Sequence, residues 1–150
     1  MASRRDQIRM SDDEMRTFLA ERMVMTIGTI GPNGRPHLMP LWYVPDGPEL
    51  IGWTYAKSQK AKNLERDPQA TIQVEDGVRY EELRGVMMEC DVELDRDAKP
   101  YGLRLFGRYA GELDHDIDAL VEQQAAKRVG LRFTPTRTVT WDHSKLGGAY

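Results

Sequence analysis

A single cysteine, Cys90, stands in 150 residues. An intrachain disulfide is therefore excluded, and a reducing compartment suits the chain. Basic residues are not in excess. The 21 Lys and Arg against 24 Asp and Glu give a net charge of -3, with a pI near 5.6, the opposite of a nucleic-acid scaffold. No apolar run approaches the roughly 20 residues of a membrane-spanning helix. The first nine residues, Met1 to Arg9, are polar and hold no apolar signal segment, so the expected location is cytoplasmic. Repeats and low-complexity linkers are missing too. So are paired carboxylates, a nucleophile beside a base, and any set of ligands at metal spacing. No residue can be named as catalytic.

A hydrophobic content of 40% and a charged content of 30% describe one ordinary globular domain. Residues 1–10 read as a flexible lead-in and 11–150 as the domain. Ser11-Asp12-Asp13-Glu14 is a capping box, with Met10 and Met15 placed as a hydrophobic staple, and predicts a helix to about Arg22. Met23 to Ile30 and about Pro36 to Val44 read as strands joined by the Asn33-Gly34 turn. Pro40 cannot donate to a ladder, which confines the second strand to an edge, a bulge or a ligand-facing position. Glu49 to Tyr55 is a third strand, after the turn at Pro45 to Pro48.

Period-two alternation predicts strands over Ala70–Glu75 and Val86–Leu94, with Cys90 in the buried register. Helices follow around Leu103–Gly107 and Ile117–Ala125. A final strand spans about Gly130 to Trp141. His37 and His115 read as surface residues without a chemical role. Five or six mostly antiparallel strands with short helices suggest a small barrel. Such a barrel has little internal room, so a ligand would lie outside, in a groove shared by two subunits.

The most informative stretch is Trp53-Thr54-Tyr55-Ala56-Lys57-Ser58-Gln59-Lys60-Ala61-Lys62-Asn63-Leu64. It reads as a strand end, a corner and a short helix capped by Ser58 and stopped at Asp67-Pro68. Lys57, Lys60 and Lys62 crowd the helix N-terminus. Each is unfavourable there by roughly 0.3–1 kcal/mol if nothing answers it. A bound phosphate would answer them; a solvated lysine face is the other reading that the residue types allow.

Four segments carry a resemblance: Pro40-Leu41-Trp42-Tyr43-Val44, Ser58 to Leu64 with Asp67-Pro68, Leu83-Arg84-Gly85-Val86, and Trp141-Asp142-His143-Ser144-Lys145-Leu146-Gly147-Gly148. In this order they resemble the split β-barrel flavin and deazaflavin oxidoreductases related to pyridoxamine 5'-phosphate oxidase. Within these they are most similar to the F420-dependent FDOR-B subgroup. The resemblance implies a mainly β (α+β) split barrel of the FMN-binding type with short peripheral helices, acting as a homodimer. It implies that Lys57, Ser58, Lys60, Lys62 and Asn63 hold the cofactor phosphate. Met39, Pro40, Leu41 and Trp42 would lie against the tricyclic ring, with Trp53 and Thr54 on the path between ring and phosphate. Trp141 and Lys145 would close the pocket, either within the chain or from the partner subunit of a homodimer with its sites at the interface, Trp141 having a dimer-core reading as well.

The implied reaction is hydride transfer from reduced coenzyme F420 to an unsaturated or conjugated acceptor: a quinone, a tetrapyrrole such as biliverdin, or a xenobiotic. The alternatives are an FMN-dependent pyridoxamine 5'-phosphate oxidase-like enzyme and a non-catalytic F420- or flavin-binding protein. No nucleic-acid, membrane or metal partner is expected.

Overall fold

The computed structural model describes residues 1–109 and 116–148. The expectations for Asp114, His115 and the last two residues lie outside them. In chain order the elements are α1 (Arg4–Gln7), α2 (Asp12–Glu21), β1 (Val24–Ile30), β2 (Pro36–Trp42), β3 (Val44–Asp46), β4 (Glu49–Tyr55), α3 (Gln59–Arg66), β5 (Gln69–Asp76), β6 (Arg84–Asp95), α4 (Lys99–Tyr109), α5 (Ile117–Ala125) and β7 (Arg128–Asp142). Short 3₁₀ turns occupy Tyr80–Glu82 and His143–Leu146.

The strands form one antiparallel sheet in the order β2-β1-β5-β6-β7-β4-β3. Its closure follows from connectivity. The two edge strands, β2 and β3, are consecutive in the chain, and only Tyr43 separates them. A flat sheet would hold its edges several strand widths apart, so this one has to curl until they meet. They meet over β4, where a Cβ on Gly52 would lie 3.0 Å from the Trp42 carbonyl oxygen and 3.4 Å from Leu41 Cδ2. The result is a curled half-barrel of the split-barrel kind.

The single return strand expected over Pro36–Val44 is thus two strands, and the described residues hold seven where five or six were expected. Pro40 does lie on an edge strand, opposite Thr26. Tyr43 is fully buried at the crossing. Its hydroxyl donates to Leu19 O at 2.6 Å, tying the crossing to the end of α2.

Inward-facing residues of the strands build the core, among them Met25, Ile27, Leu50, Ile72, Val86, Met88, Leu131 and Phe133. Cys90 joins them, and burial pushes its thiol up to about 12. Phe18 and Leu19 of α2 are buried in the same core. The Ser11 capping box is present, and Met10 is buried with Met15 packed against the same core. Residues ahead of Ser11, read as a lead-in, carry the one-turn α1 and are tied to β7: the Asp142 N–H donates to Ile8 O at 2.7 Å, and the Met10 N–H to Thr140 Oγ1 at 2.9 Å. Among the described residues no helix is long and apolar enough to cross a membrane.

Candidate functional site: an aromatic groove with two cations

β4 delivers the chain to α3 through the corner at Ala56-Lys57-Ser58. The Ser58 N–H donates to Tyr55 O at 3.0 Å, and its hydroxyl accepts from the Ala61 N–H at 3.2 Å as the helix cap. The N–H groups of Gln59 and Lys60 find no partner among the described residues, as the first turn of any helix leaves them. Thr54 is buried below this corner, its hydroxyl 3.4 Å from that of Ser58.

A groove of about 410 Å³ opens beside the corner. Val24, Pro40, Leu41 and Trp42 form one wall, and Trp53, Thr54 and Tyr55 the other, with Lys60 and Arg128 reaching in. The walls are fixed from behind by α4. Trp53 meets Phe106 edge to face, with centroids 6.1 Å apart. Trp42 stacks on Tyr109 at 4.4 Å, with planes 10° off parallel. The Tyr109 hydroxyl accepts from the Tyr43 N–H at 3.1 Å and faces the carbonyls of Tyr43 and Met23. Its neighbour Arg108 donates to the carbonyls of Leu19, Ala20 and Arg22, so one helix end braces both the groove wall and the end of α2.

Lys60 is half-buried, and desolvation lowers its ammonium below the ordinary lysine range. Neither Lys57, Lys60 nor Lys62 pairs with a carboxylate among the described residues. The three do not form one cluster. Residues two apart on a helix project about 200° apart, so Lys60 enters the groove while Lys62 stays exposed on another face; Lys57, in the corner ahead of the helix, is exposed and does not line the groove. Asn63 turns inward and is fully buried. Its amide nitrogen donates to Thr29 Oγ1 at 3.0 Å, and its oxygen accepts from Gln59 Nε2 at 2.8 Å. That side chain joins α3 to the barrel.

Of the other expected residues, Pro40, Leu41, Trp42, Trp53 and Thr54 come together in the groove, while Met39 is exposed outside it. Trp141 lies over Gly85 near the far end of β7. Twelve strand residues lie between it and Arg128, roughly 40 Å along the strand at about 3.3 Å per residue. Lys145 donates to Arg9 O and to Glu14 Oε1, both at 2.8 Å. Within one chain neither residue reaches the groove. The reading of the sequence missed Arg128, Tyr55 and Tyr109. Tyr55 was within reach, since it follows Trp53 by two on one strand; the other two carry no local signal.

The family model described as pyridoxamine 5'-phosphate oxidase matches residues 11–142. The chain belongs to this family. Among solved structures it is similar to the conserved hypothetical protein Rv2991 from Mycobacterium tuberculosis, with 39% identity and a TM-score of 0.89 over 99% of this chain and 95% of that one. An F420 reductase is 25% identical, with a TM-score of 0.67 over 82% of this chain and 94% of that one. The heme storage protein HutZ from Vibrio cholerae is 18% identical, with a TM-score of 0.69 over 89% and 97%. At that identity it shares the fold alone. No curated protein matches the chain.

Proposed function

We propose that this member of the pyridoxamine 5'-phosphate oxidase family is an oxidoreductase of the FDOR-B type, using F420 in the groove between Trp42 and Trp53. Lys60 carries the reading. A half-buried ammonium with no carboxylate partner costs stability, and it stands beside two unpaired helix N–H groups at the end of an aromatic slot. A planar ring with an anionic tail fits this donor set. The likeness to an F420 reductase favours the deazaflavin over FMN.

When bound, the reduced deazaflavin supplies a hydride. The chain's residues bind and orient. Lys60 and the N–H groups of Gln59 and Lys60 take the phosphate, with Lys57 adding long-range attraction. Trp42, Trp53 and Pro40 wall the ring and exclude water. The acceptor is an unsaturated or conjugated molecule such as a quinone, biliverdin or a xenobiotic. A second copy of the chain covers the exposed apolar edge at Val24, Leu38, Met39 and Trp42. Trp141 and Lys145, which lie away from the groove of their own chain, would approach it only from that second copy.

Reduced F420 mixed anaerobically with the protein and menadione should regain its oxidised absorbance at a rate proportional to protein. If quinone, biliverdin and nitroaromatic acceptors all leave the background rate unchanged, the enzymatic reading is wrong. Sedimentation at micromolar concentration should give the mass of a dimer, and a monomer there would remove the second copy.

A further inference from the structure

We infer that Arg128 is a second anion-binding residue of the groove, one that reads a carboxylate on the ligand lying over Trp53 and Tyr55. The inference rests on the groove being the cofactor and acceptor site. Arg128 opens β7 directly opposite Tyr55. Its guanidinium lies over the Tyr55 ring at 4.1 Å from the centroid and over Trp53 at 4.9 Å. One nitrogen, Nη1, donates to the backbone oxygen of Gln124 at 2.9 Å and to its side-chain oxygen at 2.7 Å. Every one of these partners is neutral. They hold the plane of the fork without cancelling its charge.

Three other part-buried arginines are answered by carboxylates, and a fourth, Arg108, has its fork filled by the main-chain carbonyls of Leu19, Ala20, Arg22 and Tyr43. Arg84 and Arg22 meet Asp76, and Arg132 meets Asp46 and Glu49. Acidic residues are in excess in this chain, so the lack of one at Arg128 is not a shortage. Lys60 lines the same groove and is equally without a carboxylate. Two uncompensated cations in one aromatic slot raise its potential and suit a ligand with more than one negative group. A lysine suits a phosphate as a point charge, whereas a planar fork offers parallel donors to a carboxylate. Arg128 also covers two rings and the end of α5, a packing role that would lower stability without discriminating between ligands.

The carboxylate has two possible sources, the glutamate tail of the deazaflavin or the acceptor. Arg128→Gln and Arg128→Lys are compared with wild type for thermal midpoint. F420 and FMN affinities then follow from fluorescence quenching, and kcat and KM from reactions with biliverdin, its dimethyl ester and menadione. If the tail is read, Arg128→Gln weakens F420 about 10-fold or more while FMN moves less than about 2-fold, and Arg128→Lys recovers part of the loss. If the acceptor is read, F420 affinity holds and KM for biliverdin rises about 10-fold at unchanged kcat, with the ester and menadione unaffected. Equal losses for F420 and FMN, no loss for any ligand, or losses that track the thermal midpoint overturn the assignment. Where the Gln variant does not fold, the Lys variant carries the same comparison. Wild-type protein that binds neither F420 nor FMN removes the cofactor reading along with this one. Wild-type binding with an indifferent variant removes this one alone.

Discussion

Gly102 of α4 lies so close to the Trp53 indole that a Cβ there would stand 2.4 Å from Cζ3 and 2.7 Å from Cη2. The missing side chain is what lets α4 sit against the groove wall. Two effects oppose each other on Gly102→Ala. Helix propensity favours alanine by about 1 kcal/mol, while overpacking against a rigid ring costs about 1–3 kcal/mol. Val121 Cγ1, at 2.8 Å from the same point, blocks escape on the other side. The clash should win, with a lower thermal midpoint and altered Trp fluorescence. An unchanged midpoint and spectrum would mean that α4 does not hold Trp53 in place.

Tyr109 has two separable jobs. Tyr109→Phe keeps the stack on Trp42 but strands the Tyr43 N–H, which should cost about 1–3 kcal/mol. Tyr109→Ala also loses the ring pair, worth about 0.5–1.5 kcal/mol beyond its packing. Denaturant unfolding should rank wild type above Phe above Ala. Only Ala should release Trp42 to solvent and red-shift its emission. Equal spectra for the two variants would contradict the division.

Lys60 ties stability to binding with opposite signs. Its folded pKa is lowered by burial, so between that value and the ordinary lysine value the unfolded chain holds more protons, and stability rises with pH across the window. Below it the charged group costs stability throughout. Lys60→Met should therefore keep or raise the thermal midpoint at neutral pH while weakening F420 and FMN about 10-fold. A variant that binds as tightly as wild type would refute the phosphate role. One that unfolds readily would make Lys60 a structural residue instead.

Glu14 links the two chain ends. The Lys145 ammonium, then the Ser11 backbone and hydroxyl, hold its carboxyl down to about 2. A depressed carboxyl contributes stability above its unfolded value, and that contribution fades as pH falls from about 4.5 toward 2. Side-chain carboxyl NMR should find Glu14 still ionised at pH 3, and Lys145→Met should move its midpoint up toward the ordinary range. A wild-type midpoint near 4.5 would mean that the Lys145 contact does not persist in solution.

Local chemistry made much of this fold legible. Ser11 with Glu14, Asn33-Gly34, Ser58 and the register of Cys90 each need only neighbouring residues to be read, and each is where the sequence implies. The crossing at Tyr43 was hidden because a residue passing between sheet edges is still extended and still buried, so period-two reading runs straight through it. Lys60 and Lys62 were grouped by proximity in sequence, although helical geometry separates them. Asn63 is bonded to Thr29 and Lys145 to Glu14, partners 34 and 131 positions away that no window reveals. Arg128 was overlooked for the same reason, as its importance comes only from what α5 and β4 place around it.

The most direct measurement is a paired fluorescence titration of the purified protein with F420 and with FMN at neutral pH. The account predicts saturable F420 binding with a Kd in the low-micromolar range or tighter, about 7–8 kcal/mol or more, and weaker binding of FMN. FMN bound more tightly than F420, or no saturable binding of either, would contradict it.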